Sequence, residues 1–273
     1  MSKTYTMIQV SRNSTHPSVL EVKLNRPEIR NAFNEAMIEE LTHVFQKEVL
    51  DESVRIVVLS GSGSHFSAGG DLNWMKKSVE MDHAGNLADT RRLSRMFASM
   101  NECPKPLIGV VHGAAIGGGV GMVSVCDIVI ATEDTQFSLS EVRLGIIPAC
   151  IGPFVVAKIG ASHARGLFIS AERFTAKRAL EIGLIHEMVS DQAGLKTALD
   201  RLLGNMTQCG PKAMAAAKRL VLELSWPEKR SKHPDPIEFV SQMLAEIRVS
   251  DEGQEGLKAF LEKRKPGWLG GAK

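Results

Sequence analysis

This sequence predicts an α/β core built on parallel strands, followed by a helical C-terminal part. Three observations predict it. Short β-branched runs at residues 55–59 and 107–112 read as strands buried on both faces. Stretches of helical periodicity separate such runs, the pattern of parallel pairing through crossovers. From residue 154 to 208 helical patterns dominate.

Taken in order, residues 7–10 and 19–24 alternate or run apolar and read as two strands joined by the Asn13-Ser14 turn. Asn34 caps a helix that continues to residue 49. The strand at 55–59 empties into Ser60-Gly61-Ser62-Gly63, a flexible loop. A helix with a charged face follows over 84–100. The strand at 107–112 then feeds the glycine cluster from Gly113 to Gly121. A further strand lies at 127–131, with Gln136-Phe137-Ser138 extended behind it. Past Pro148 the helical stretch breaks at Gly160 and at the Gly183 turn, with a short apolar run at 184–189. Pro211 suits the first position of a helix over 212–224. Two prolines and five charged residues make 226–235 an exposed loop, and two helices, 236–249 and 252–264, complete the chain.

Composition excludes several classes. A net charge of +2 over 273 residues supplies no field for nucleic acid or an anionic membrane. The four cysteines lie far apart and form no CxxC pair, so a thiolate metal site or disulfide framework is not expected and a reducing compartment is. No apolar run near the N-terminus reads as a signal peptide, and none reaches the ~18 residues of a spanning helix. The expectation is a cytoplasmic protein. The eight histidines are too widely spaced for an HxxH pair, so no metal is expected. There is no GxxxxGK[ST] loop and no GxSxG elbow, and the run Gly117-Gly118-Gly119-Val120-Gly121 lacks the spacing of a dinucleotide fingerprint.

Three segments carry candidate chemistry. Phe66-Ser67-Ala68-Gly69-Gly70-Asp71 and Gly113 to Gly121 each follow a buried strand. Both present backbone N–H groups with no side chain in the way, suited to an anion or a developing oxyanion; both also read as plain tight turns. The third, residues 137–148, sets Glu141 among apolar neighbours. There it is either a desolvated proton carrier or a surface glutamate paired with Arg143 or Arg165.

In this order along the chain, those segments resemble the crotonase (enoyl-CoA hydratase/isomerase) superfamily. The likeness includes Leu24-Asn25-Arg26-Pro27 with Asn31-Ala32, and Ala179-Leu180-Glu181-Ile182-Gly183-Leu184. It continues through Gly210-Pro211-Lys212-Ala213 to Phe260-Leu261-Glu262-Lys263-Arg264. The resemblance implies a ββα spiral core with a coenzyme A site, here residues 1–195, and a helical trimerisation region, here 196–273. It also implies a homotrimer or a dimer of trimers, no cofactor beyond the coenzyme A of the substrate, and no nucleic-acid or membrane partner. The family's two oxyanion amides fall on Gly70 and Gly118, and its proton-moving carboxylate on Glu141. Substrate contacts fall on Ala32, Asp71 and Leu72, with turn-capping an equal alternative for Asp71; Ala68 matches the stretch whose backbone binds the adenine, and Arg30 faces the phosphates or is an ordinary surface arginine. Phe260 and Lys263 match positions that reach a neighbouring subunit's coenzyme A. The stripe Phe239, Met243, Ile247 is expected at subunit contacts.

One departure matters. Two-glutamate hydratases carry an acid where this chain has Gly121, which leaves a single carboxylate. The Gly-Gly-Gly-Val-Gly and Ser-Glu-Val-Arg-Leu-Gly pairing, with Asp71-Leu72-Asn73-Trp74-Met75, is most similar to bacterial methylglutaconyl-CoA hydratases. The expected activity is therefore hydration of a branched or carboxylated enoyl-CoA. Δ3,Δ2-enoyl-CoA isomerisation is the alternative, ahead of thioester hydrolysis or a non-catalytic coenzyme A-binding scaffold.

Overall fold

A computed structural model describes residues 4–270. The chain forms two compact units, separated between residues 199 and 200.

The first unit is built on two sheets. Strands β1 (Ile8–Arg12) and β2 (Val19–Leu24) pair antiparallel. From β2 the sheet continues in parallel through β3 (Ile56–Gly61) and β4 (Leu107–Val111). It then skips β5 (Ala114–Ile116) to reach β6 (Ile128–Thr132), and ends on β9 (Glu187–Val189). The skipped strand starts a smaller sheet, β5 beside β7 (Gln136–Ser138) in parallel and β7 beside β8 (Arg173–Thr175) antiparallel. The central strands β3 and β4 are buried almost throughout, as continuous Val/Ile/Leu runs require.

Helix α1 (Glu35–Gln46) begins where Asn34 accepts a hydrogen bond from the Met37 amide at 3.0 Å. Met37, Ile38, Leu41, Val44 and Phe45 form its buried stripe, packed against α3 (His83–Asn101). Between them lies α2 (Leu72–Glu80), which buries no residue. The sequence pattern gives no helix there, because without a core-facing stripe there is no period to read. The short helix α4 (Gly118–Ser124) is almost wholly buried and packs against α5 (Gly152–Ser170). As the sequence predicts, α5 breaks at Gly160, whose φ is +76°. The turn after α6 (Ala176–Glu181) likewise uses Gly183 at φ +79°.

The boundary between the units falls inside α7 (Gln192–Met206). The second unit continues with α8 (Pro211–Ser225), α9 (Pro227–Arg230), α10 (Pro236–Val249) and α11 (Asp251–Leu261). One expectation is corrected here. The segment 226–235 is not all loop, since α9 forms a helical turn within it. Of the stripe Phe239, Met243, Ile247, Met243 is buried within its unit and Phe239 stacks on His233 at 3.7 Å between centroids. Helices α10 and α11 also expose the apolar side chains Ile237, Leu244, Val249, Leu257, Phe260 and Leu261.

Candidate active site

The two glycine segments meet. Residues 66–67 lie alongside β5 as an extra strand: Phe66 N donates to His112 O at 2.9 Å, Ser67 N to Ala114 O at 3.0 Å, and Ile116 N to Ser67 O at 3.0 Å. Ala68 N then donates to Arg30 O at 2.9 Å. Gly69 turns the chain at φ +89°, a conformation only glycine adopts without strain. The loop is pinned from the other side by Phe33, whose N–H donates to Gly69 O and whose carbonyl accepts from Asp71 N, both at 2.9 Å. A Cβ on Gly69 would stand 2.8 Å from Ile116 O and 3.9 Å from Gly118 N, so the loop runs directly beside the start of α4. Among the described residues, the N–H groups of Gly70 and Gly118 donate to nothing. A side chain on Gly118 would collide with the ring of Phe33.

Asp71 ends this loop and starts α2. Its Oδ1 accepts from the Asn73 and Trp74 amides at 2.7 and 3.3 Å, and its Oδ2 pairs with Arg26 Nη2 at 2.9 Å. Burial alone would push its pKa up. The two amides and the guanidinium overcome that and hold the carboxyl below its usual range. Arg26 also donates to Ala32 O at 2.6 Å. The fully buried Asn31 donates to the carbonyls of Ser62 and His65, each at 2.8 Å, and accepts from Arg26 N at 2.9 Å. Of the two alternatives for Asp71, the structure shows capping, with an ion pair that ties Arg26 and Asn31 to the loop. The likeness at Asn25-Arg26-Pro27 and Asn31-Ala32 carried no such role for Arg26 or Asn31, because their partners lie far along the chain.

Glu141 opens a short 3-10 turn just beyond β7. Its Oε1 lies 3.1 Å from where Gly117 would carry a Cβ, and Gly117 has φ +52°. A side chain at 117 would therefore press on the carboxylate. Neither Arg143 nor Arg165 pairs with Glu141, so the surface ion-pair reading is corrected. The Oε2 is buried with no hydrogen-bond partner. Burial raises the Glu141 pKa from its ordinary value and outweighs the opposing effect of its own backbone amide.

The position of the missing acid is filled. A side chain on Gly121 would run into Ile151 and would come 3.0 Å from Phe97 Cε1. Both of those residues are buried. Their role could not be read from sequence, since each comes from a part of the chain distant from Gly121.

The remaining expected residues divide between the units. Arg30 and Ala32 flank the loop, and Arg30 stands close to His65. Burial first, then the charges of Arg30 and His112, hold the His65 imidazole below its usual range. Leu72 is exposed on α2. Phe260 and Lys263 belong to the second unit, where Phe260 is 81% exposed and Lys263 adopts φ +54°. Sequence reasoning missed two aromatic residues of the site, Phe33 and Trp74. Their rings lie 5.7 Å apart between centroids at 53°, and a Cβ on Gly70 would touch Trp74 Cζ3 at 3.4 Å.

Residues 14–271 match the profile of the enoyl-CoA hydratase/isomerase family. The chain is 32% identical to 2,3-dehydroadipyl-CoA hydratase of Escherichia coli, over 94% of this chain and 97% of the relative. It is 36% identical to the mitochondrial Δ(3,5)-Δ(2,4)-dienoyl-CoA isomerase of Mus musculus, over 78% of this chain and 68% of the relative. Among solved structures, an enoyl-CoA hydratase from Shewanella pealeana superposes with a TM-score of 0.88 at 39% identity, covering 96% of each chain.

Proposed function

The chain belongs to the enoyl-CoA hydratase/isomerase family, and from that membership we propose that it hydrates a branched or carboxylated enoyl-CoA, such as 3-methylglutaconyl-CoA, with one carboxylate. The observation that carries this reading is the buried, partnerless Oε2 of Glu141 beside the Gly117–Gly118 turn. Glu141 takes a proton from water as its oxygen adds to carbon 3 of the thioester. The electron pair moves to the thioester oxygen, which the free N–H groups of Gly70 and Gly118 receive. Glu141 then returns the proton to carbon 2 on the same face and the carbonyl re-forms. A raised pKa suits a group that must both take and give a proton near neutral pH. One oxyanion donor is typically worth about 10²–10³ in turnover. Adding water and moving a proton exchange no electrons with an outside donor or acceptor, so coenzyme A enters as part of the substrate and no further cofactor is required. The name of the Escherichia coli relative, a hydratase of a dicarboxylic acyl group, supports the carboxylated class.

A second reading is Δ3,Δ2-enoyl-CoA isomerisation, favoured by the Ile151 and Phe97 side chains that leave no room for a second acid at residue 121. Moving a proton from carbon 2 to carbon 4 needs one base and an enolate site. Incubation with crotonyl-CoA, 3-hexenoyl-CoA and 3-methylglutaconyl-CoA, followed by absorbance and product mass, separates the readings. A gain of one water from 3-methylglutaconyl-CoA supports hydration. Conversion of 3-hexenoyl-CoA to its isomer without mass change supports the second reading, and release of free coenzyme A contradicts both.

Assembly as a trimer or dimer of trimers, with Phe260 and Lys263 at a neighbour's nucleotide, is part of the same proposal. Its support is the exposed apolar set Ile237, Leu244, Val249, Phe260 and Leu261. Light scattering that finds only monomer at micromolar concentration overturns it. A cytoplasmic setting is the corresponding proposal for location, supported by four cysteines that form no disulfide. No helix of the described residues is long and apolar enough to cross a membrane.

A further inference from the structure

Buried polar atoms in folded proteins nearly always have a partner, and an indole N–H is no exception. Trp74 breaks that rule. Its Nε1 is buried with no acceptor among the described residues, although the residue as a whole is only half-buried. The site thus holds two shielded side-chain atoms awaiting a partner, Glu141 Oε2 and Trp74 Nε1. The first is an acceptor and the second a donor.

The indole is held in place. Asp71 Oδ1 accepts from the Trp74 amide at 3.3 Å, fixing the first turn of α2. The ring leans on Phe33 at 5.7 Å between centroids. Its benzo edge, Cζ3 and Cε3, lies 3.4 and 3.5 Å from the Cβ position of Gly70. The N–H belongs to the other ring of the indole, away from that edge. It is therefore set apart from the Gly70 amide, and it serves a different atom of the ligand from the thioester oxygen. The loop runs from Ala68 to Gly70, and Trp74 lies one helical turn beyond. With the thioester expected at Gly70, an indole packed on Gly70 stands beside the groups attached to the thioester, and the apolar Phe33 and Met75 next to it suit the acyl chain.

We propose that Trp74 is a specificity-determining residue whose indole N–H receives a carboxylate on the distal part of the acyl chain. This rests on the reading of the chain as an enoyl-CoA enzyme. A fixed, shielded donor favours a substrate that supplies an acceptor, and penalises one that buries the N–H against methylene groups. Phe33 and Met75, beside the same loop, supply apolar surface around it; Met75 Cγ lies 3.7 Å from the Gly70 Cβ position.

The test uses Trp74→Phe, which keeps an aromatic ring against Phe33 and Gly70 and deletes the donor. The quantity read is kcat/KM for 3-methylglutaconyl-CoA divided by that for crotonyl-CoA, so any loss common to both substrates cancels. That ratio is expected to fall about 10- to 100-fold, the range of a hydrogen bond to a charged acceptor. An unchanged ratio overturns the proposal, including an equal loss on both substrates from a contact to the pantetheine arm or a packing role. A second measurement needs no variant. The indole N–H resonances of the three tryptophans in the 15N-labelled protein are followed on adding glutaryl-CoA or butyryl-CoA. The Trp74 signal is expected to move downfield with glutaryl-CoA alone, and the same shift with both ligands overturns the assignment. This titration reads binding, so it decides the role of Trp74 even if neither thioester is turned over and the hydratase reading fails.

Discussion

Asp71 and Glu141 are both carboxylates in shielded parts of one site, and their surroundings are opposite. Asp71 meets two backbone amides and a guanidinium, and its charge is held. Glu141 has one oxygen with nothing to accept from, and burial works against its charge. The first arrangement fixes backbone: it caps α2 and ties Arg26 to the loop. The second leaves a group with proton affinity to spend on a ligand. A satisfied buried acid stabilises the fold, whereas an unsatisfied one is held at a cost to the fold and is free for chemistry.

The comparison is broken most directly at Glu141. Glu141→Gln keeps the shape of the side chain and removes its proton transfer, and turnover is expected to fall about 10²–10⁴-fold with little change in KM. In the parent enzyme, the acid limb of the kcat/KM profile should lie above the ordinary glutamate range, because the raised pKa leaves the carboxyl protonated to higher pH. That limb should vanish in the variant. Near-normal turnover by Glu141→Gln would return Glu141 to a structural role.

At Asp71 the expected effect is on stability. Asp71→Asn retains a side chain that caps helices well but leaves Arg26, only 16% exposed, without its counter-charge. A loss of about 3 kcal/mol is expected in denaturant titration. The Asp71 pKa is depressed in the fold, so its contribution is present above the unfolded pKa and is lost as pH falls through the folded one. The gap between parent and variant should therefore close on acidification. A gap that persists at low pH would assign the loss to packing instead.

Gly121→Glu would restore a second acid on paper. The contacts with Ile151 and Phe97 predict overpacking instead, at about 1–3 kcal/mol in thermal unfolding, with no gain in hydration rate. A stable variant with faster hydration would show that the space opens more readily than the packing suggests.

The smallest effect sharpens the contrast with Asp71. Glu141 has a raised folded pKa, so any stability it contributes is greatest below the unfolded pKa and is lost as pH rises through the folded one. Glu141→Gln removes that loss. It should melt slightly higher than the parent at neutral pH while being far less active.

Much of the scaffold is legible from local pattern. The runs at 55–59 and 107–112 are strands because parallel central strands are apolar on both faces, and β3 and β4 are buried accordingly. Asn34 marks a boundary through its capping side chain, and Gly160, Gly183 and Pro211 through their backbone chemistry; the structure starts helices at Asn34 and Pro211, breaks one at Gly160 and turns at Gly183. What stayed hidden had no period or too little length: α2, with no buried face, and the three-residue strands β5 and β8.

The sequence by itself determined the strand and helix order, the presence of two glycine segments after buried strands, and the loss of an acid at Gly121. These follow from residue type and near neighbours along the chain. Only the tertiary structure decided which groups have partners. The pairing of Ser67 with Ala115 sets one glycine segment against the other, Arg26 reaches Asp71, and Ile151 fills the space behind Gly121. Whether a carboxylate or an indole N–H is satisfied depends on atoms brought together from distant parts of the chain, and periodicity carries no information about those encounters. That is why the acid met by three donors and the acid met by none look alike in the sequence.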